Sequence, residues 1–171
     1  YLEKPRLEDE RRLVLHFLGA VFPRAVEAAA RRLHSGWCRA GLPQARAQEA
    51  MRLPRIRFGN WVGGDRDGHP FVSDATTQDT LKLLRQTAIA LLDTQLEELA
   101  RRLSLTARDT AASDDLKRRC AERANALGSE GAGALQRNHG EPWRQWVNLM
   151  RVALQRASRE EEAYASEDMR G

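Results

Sequence analysis

The sequence predicts a mainly α-helical segment with one short strand. Apolar residues recur at three- and four-residue steps through every long stretch, the spacing of one helix face. Only the run Pro54-Arg55-Ile56-Arg57-Phe58 alternates apolar and basic residues at period two, and it feeds an apolar-aromatic stretch ending at Val62. Turn formers then crowd together at Gly63, Gly64, Gly68 and Pro70 before helical spacing resumes, which reads as a strand-loop unit over 56–72 followed by a helix. With 171 residues, the chain is long enough for one domain with a real core.

The first helix is expected over 7–34. Proline at position 5 suits a first turn, and Glu8, Asp9 and Glu10 suit the positive end of the helix dipole. Leu13, Phe17, Leu18 and Val21 form an apolar face that Val26, Ala29, Ala30 and Leu33 continue. Pro23 has no amide hydrogen to give the Gly19 carbonyl, so a kink or restart is expected there. Between Ser35 and Leu53 the periodicity loosens at Gly36, Gly41 and Pro43, leaving room for a short exposed helix over Ala45–Met51. His34 and Trp37 read as a solvated histidine and an edge-packed aromatic rather than ligand contacts.

Ser73 or Asp74 caps the longest helix, expected over 74–103 and roughly 45 Å long. Its stripe of Leu81, Leu84, Ala88, Leu91, Leu92, Leu96, Leu99 and Leu103 makes it a central packing element. The next helix, over 113–127, opens on Ser113, Asp114 and Asp115, buries Leu116, Cys120, Ala124 and Leu127, and stops at Gly128. Ser129–Gly140 reads as a glycine-rich, mobile connector, and His139 there has no metal partner at useful spacing. The last helix, over 142–157, starts with Pro142 at its first position. Trp143, Val147, Met150 and Leu154 share one face, widened by Trp146 and Leu149, before a solvated tail from Glu160 whose last ten residues fray.

Twenty-eight Lys and Arg against 24 Asp and Glu give a net charge of +4 and a pI near 9.6. Basic and acidic residues alternate along nearly every helix, as in Asp114-Asp115-Leu116-Lys117-Arg118-Arg119, which marks a solvated face. No basic stripe interleaved with aromatics is present, so a nucleic-acid partner is not expected. Cys38 and Cys120 lie far apart, outside any metal spacing, and fit packed thiols in a reducing compartment. With no signal peptide, no apolar run of membrane length and no lipidation motif, the reading is cytoplasmic and without a membrane partner. A start at Tyr1 without methionine reads as a piece of something longer.

The loop after the strand carries the functional question. Gly63 and Gly64 can take positive φ and admit a close neighbour, while Asp65 and Asp67 flank Arg66. Composition allows two readings: a tight turn with a local Arg66 ion pair, or part of an anion or metal site.

The string Trp61-Val62-Gly63-Gly64-Asp65-Arg66-Asp67-Gly68-His69-Pro70 resembles the glycine-rich signature of phosphoenolpyruvate carboxylases, with His69 where that family usually has Asn. Two softer matches flank it: Asp9-Glu10-Arg11-Arg12 opening a long helix, and Glu141-Pro142-Trp143-Arg144 opening the last. The resemblance covers about residues 6–157. It implies a segment excerpted from a helix-rich (β/α)8-barrel enzyme that adds bicarbonate to phosphoenolpyruvate with Mg²⁺ or Mn²⁺, giving oxaloacetate and phosphate. It further implies that Trp61 walls the pocket and that Gly63, Gly64, Asp65, Arg66 and Asp67 shape or support it. The family's catalytic histidine lies in a "TAHPTE"-type segment, which none of His16, His34, His69 or His139 matches. No catalytic residue and no metal ligand is therefore expected within the chain, which should need the remainder of its parent to act; a homo-oligomer is left open. The rival reading is a non-catalytic helical scaffold or regulatory module that keeps the signature for structural reasons.

Overall fold

A computed structural model describes residues 6–43, 56–65, 72–106 and 114–168. The helices are α1 (Leu7–His16), α2 (Phe22–Arg39), α3 (Asp74–Thr106), α4 (Asp114–Ala126), α5 (Gly128–Arg137) and α6 (Pro142–Asp168), with a π turn, Phe17–Val21, between α1 and α2. The chain divides into two compact units, Tyr1–Thr87 and Ala88–Gly171.

In the first unit, α1 begins at Arg6, whose extended backbone offers its carbonyl to the amides of Asp9 (2.9 Å) and Glu10 (3.2 Å). The break expected at Pro23 is a change of helical pitch. The Phe22 amide reaches back five residues to the Phe17 carbonyl, and Pro23 enters in the first turn of α2. A wide turn is a low-cost answer to a missing donor, since the ladder restarts on a residue that needs no partner. Gly41, with φ +65°, ends α2 just past Ala40. The helical run Leu7–Arg39 also contains a window long and apolar enough, by length and composition alone, to cross a bilayer. That corrects the expectation of no such run. The same apolar side chains line a groove described below. The short helix expected over Ala45–Met51 lies outside the described residues.

α3 starts on a reciprocal cap: the Thr76 amide donates to Ser73 Oγ (3.3 Å) and the Ser73 amide to Thr76 Oγ1 (3.4 Å). Three hydroxyls seven residues apart, Thr80, Thr87 and Thr94, each donate to the carbonyl four residues back at 2.8, 2.8 and 2.9 Å. That satisfies them within the helix.

The second unit holds the core. Leu116, Cys120, Ala124, Leu127, Ala134 and Leu149 pack together, with Leu135, Trp146, Val152 and Ala153 against them. Leu149 is fully buried, a contribution of about 1.5–3 kcal/mol. The connector expected over Ser129–Gly140 is instead mostly α5. Gly128, with φ +64°, reverses the chain after α4 and leads straight into it. A Cβ on Gly131 would stand 2.8 Å from Ala124 Cα. Glycine there admits the close approach of α4 and α5, and this packing outweighs its poor helix propensity. Only Asn138–Gly140 remains as a turn before α6, which runs to Asp168 rather than ending near 157.

No strand is present among the described residues, and 56–61 is irregular rather than laddered. The alternation there is real in the sequence, but a strand exists only through a hydrogen-bonded partner.

Candidate functional site

The signature turn sits on the start of α3. The Trp61 carbonyl accepts from the amides of Gly64 (3.0 Å) and Asp65 (3.1 Å), closing a compact turn. Gly63 is buried at its centre with φ +78°. A Cβ at Gly63 would overlap Thr80 Oγ1 and stand 2.8 Å from Thr80 Cβ, so this glycine is required by both conformation and space. Thr77 Oγ1 donates to the Gly63 carbonyl at 2.7 Å. Gly64 differs: its φ is not left-handed, and a Cβ there would meet only the Trp61 carbonyl at 3.8 Å. Among the described residues, the close neighbour stands against Gly63.

Upstream of the turn, Phe58 stacks on Phe22 with centroids 4.3 Å apart and planes 15° off parallel. Phe22 in turn lies 5.7 Å from Phe17. Residues five apart point about 140° away from each other on a regular α-helix. The π turn between Phe17 and Phe22 closes that angle, which the α-helical period could not reveal. Together α1, the π turn and residues 59–62 enclose an apolar groove of about 430 Å³ whose lining includes Leu13, Phe17, Phe22 and Trp61. Among the described residues that line it, Glu10 and Asn60 carry the polar side chains. Trp61 stands 78% exposed at its edge.

The structure thus brings Trp61, Gly63, Gly64 and Asp65 together on one turn, while Arg66 and Asp67 lie outside the described residues. Among the described residues no three His, Cys, Asp or Glu side chains converge to hold a metal. The described part of the site can wall and shape a pocket; it supplies no metal ligand set.

A second polar constellation, in the unit Ala88–Gly171, went unremarked in the sequence. Arg151 Nε and Nη2 donate to the two oxygens of Asp93 at 2.9 and 3.0 Å, and Nη2 also approaches Glu97 at 3.4 Å. The Arg151 hydrogen bond holds the Asp93 carboxyl below its ordinary range, against the opposing effect of burial. Fifty-eight residues separate the pair, so no local pattern could have announced it.

A family model described as phosphoenolpyruvate carboxylase matches residues 2–170. The phosphoenolpyruvate carboxylase of Xanthomonas campestris pv. campestris is 35% identical over 157 residues, 89% of this chain and 16% of that protein. That of Thermus thermophilus is 32% identical over 157 residues, 90% of this chain and 16% of the relative. In Methylorubrum extorquens the figure is 29% over 151 residues, 88% and 16%. No solved structure matches. The chain spans about a sixth of the length of these relatives; matched by the family model over nearly its whole length, it belongs to the phosphoenolpyruvate carboxylase family.

Proposed function

We propose that the chain is a helical portion of an enzyme that joins bicarbonate to phosphoenolpyruvate, giving oxaloacetate and inorganic phosphate, and that it is inactive alone. In this reading the phosphoryl group passes from phosphoenolpyruvate to bicarbonate, leaving an enolate and carboxyphosphate. Carboxyphosphate releases phosphate and CO₂, and the enolate carbon then attacks CO₂ to form oxaloacetate. Water can intercept both reactive species, so the pocket must exclude it.

The observation that carries the reading is the turn itself. Gly63, locked over Thr80, presents Trp61 as a large apolar surface beside a groove whose described lining is mainly apolar. Trp61 is the wall that keeps CO₂ from solvent. Asp65, Arg66 and Asp67 hold neighbouring arginines and the loop in place rather than touching phosphate. Mg²⁺ or Mn²⁺, when bound, would stabilise the charge on the transferring phosphoryl group and the enolate. Among the described residues no three His, Cys, Asp or Glu side chains converge, so in this reading the remainder of the parent chain would supply its ligands. The catalytic histidine would likewise come from the remainder of the parent chain, in a (β/α)8 barrel in the cytoplasm, as a monomer or homo-oligomer, with no nucleic-acid or membrane partner.

Trp61→Ala in the parent enzyme tests this. Escape of CO₂ leaves the enolate to take a proton, so pyruvate should appear at the expense of oxaloacetate while phosphate release continues. An unchanged product ratio would count against Trp61 as the wall.

A further inference from the structure

We propose that Thr77 is a positioning residue for this carboxylation, fixing Trp61 through the Gly63 carbonyl; the inference rests on the functional reading above. Thr77 Oγ1 lies 2.7 Å from the Gly63 carbonyl and 3.3 Å from the Ser73 carbonyl. A hydroxyl has one proton to donate, and the shorter contact takes it.

This sets Thr77 apart from Thr80, Thr87 and Thr94 on the same helix. Thr80, Thr87 and Thr94 all turn back to their own helix, whereas Thr77 spends its proton on a residue fourteen positions away. Its own amide donates to the Ser73 carbonyl at 3.0 Å, within the turn that Ser73 and Thr76 cap.

The hold passes to Trp61 through very few atoms. Gly63 is pinned from the carbonyl side by Thr77 and from the Cα side by the buried Thr80. The Trp61 carbonyl in turn gathers the Gly64 and Asp65 amides. Trp61 is mostly exposed and has little packing of its own to set its position. Its location is therefore inherited from the turn, and a side-chain hydrogen bond from Thr77 ties that turn to α3. Losing that donor lets the indole drift while leaving the substrate's own contacts intact.

Two substitutions separate the hydrogen bond from packing: Thr77→Val keeps the shape and removes the donor, and Thr77→Ser keeps the donor. In the 171-residue chain, amide exchange at Gly64 and Asp65 should speed up about tenfold or more in Thr77→Val and stay near wild type in Thr77→Ser. The Leu149 amide, in the other unit's core, should be unchanged in both and reports that the fold stands. In the parent enzyme, Thr77→Val should lower kcat by about 10- to 100-fold with the KM for phosphoenolpyruvate nearly constant, and Thr77→Ser should recover most of it. Wild-type exchange and kcat in Thr77→Val would overturn the proposal, as would a rise in KM at constant kcat or a Thr77→Ser variant as impaired as Thr77→Val. A wild-type parent that forms no oxaloacetate would instead defeat the functional reading, and the exchange rates would still decide whether Thr77 holds the turn.

Discussion

Gly63→Ala puts the signature turn to a quantitative test. At φ +78° an L-residue is held in the left-handed region, a cost of about 1–2 kcal/mol. The new methyl would also overlap Thr80 Oγ1 and stand 2.8 Å from Thr80 Cβ and 3.0 Å from Cγ2. Thr80 is 4% exposed and cannot swing into solvent, so overpacking adds about 1–3 kcal/mol. The sum, about 2–5 kcal/mol, is a large share of the about 5–15 kcal/mol that holds a typical domain together. Urea unfolding followed by far-ultraviolet circular dichroism and tryptophan fluorescence reads the loss. Thr80→Ala deletes Oγ1 and Cγ2 but keeps Cβ, so in the double variant it should return part of the overpacking and none of the backbone cost. Gly64→Ala is the internal control, since its Cβ would meet nothing closer than 3.8 Å. The reasoning fails if Gly63→Ala unfolds within about 0.5 kcal/mol of wild type, or if Gly64→Ala is the more damaging of the two.

An ion pair and the two cysteines give two further outcomes. The Arg151 guanidinium depresses the folded pKa of Asp93, so that pair's contribution is complete above the unfolded value of 3.8 and is lost as pH falls through the lower folded value. Asp93→Asn should therefore cost about 1–2 kcal/mol at neutral pH, a gap that closes as acid urea titrations pass below 3.8; a constant gap would refute it. Cys120 is buried, its thiol 3.5 Å from the Pro142 carbonyl and its pKa pushed up by burial, whereas Cys38 is exposed. A thiol reagent should modify Cys38 alone in the native chain and both cysteines in urea, and rapid native modification of Cys120 would contradict the packing.

Much of the fold was legible because helix periodicity is a local signal. The starts of α1, α3, α4 and α6 follow from acids, Ser73 or Pro142 at their first turns. What escaped depended on contacts between distant residues. α5 looked like a connector because Gly131 and Gly133 have poor helix propensity, and the closeness of Ala124 explains why glycine is needed at Gly131. The expected strand had the right alternation and no ladder partner among the described residues. At the site, the signature pointed to Trp61 and the glycines. The floor made by Thr77 and Thr80 did not show, because two threonines on a helix look like any polar face until a carbonyl fourteen residues away is seen against one of them. The Phe17–Phe22–Phe58 cluster was hidden for a related reason: the π turn that brings the first two together breaks the period used to read the helix.

The central claim is tested most directly by measuring oxaloacetate and phosphate together in the purified parent enzyme and in the isolated chain. The assay supplies phosphoenolpyruvate and Mg²⁺ or Mn²⁺, with and without bicarbonate. The account predicts equal amounts of the two products from the parent, formed only with bicarbonate, and neither product from the chain alone. A parent that forms no oxaloacetate with either metal, or an isolated chain that forms it, would contradict the account.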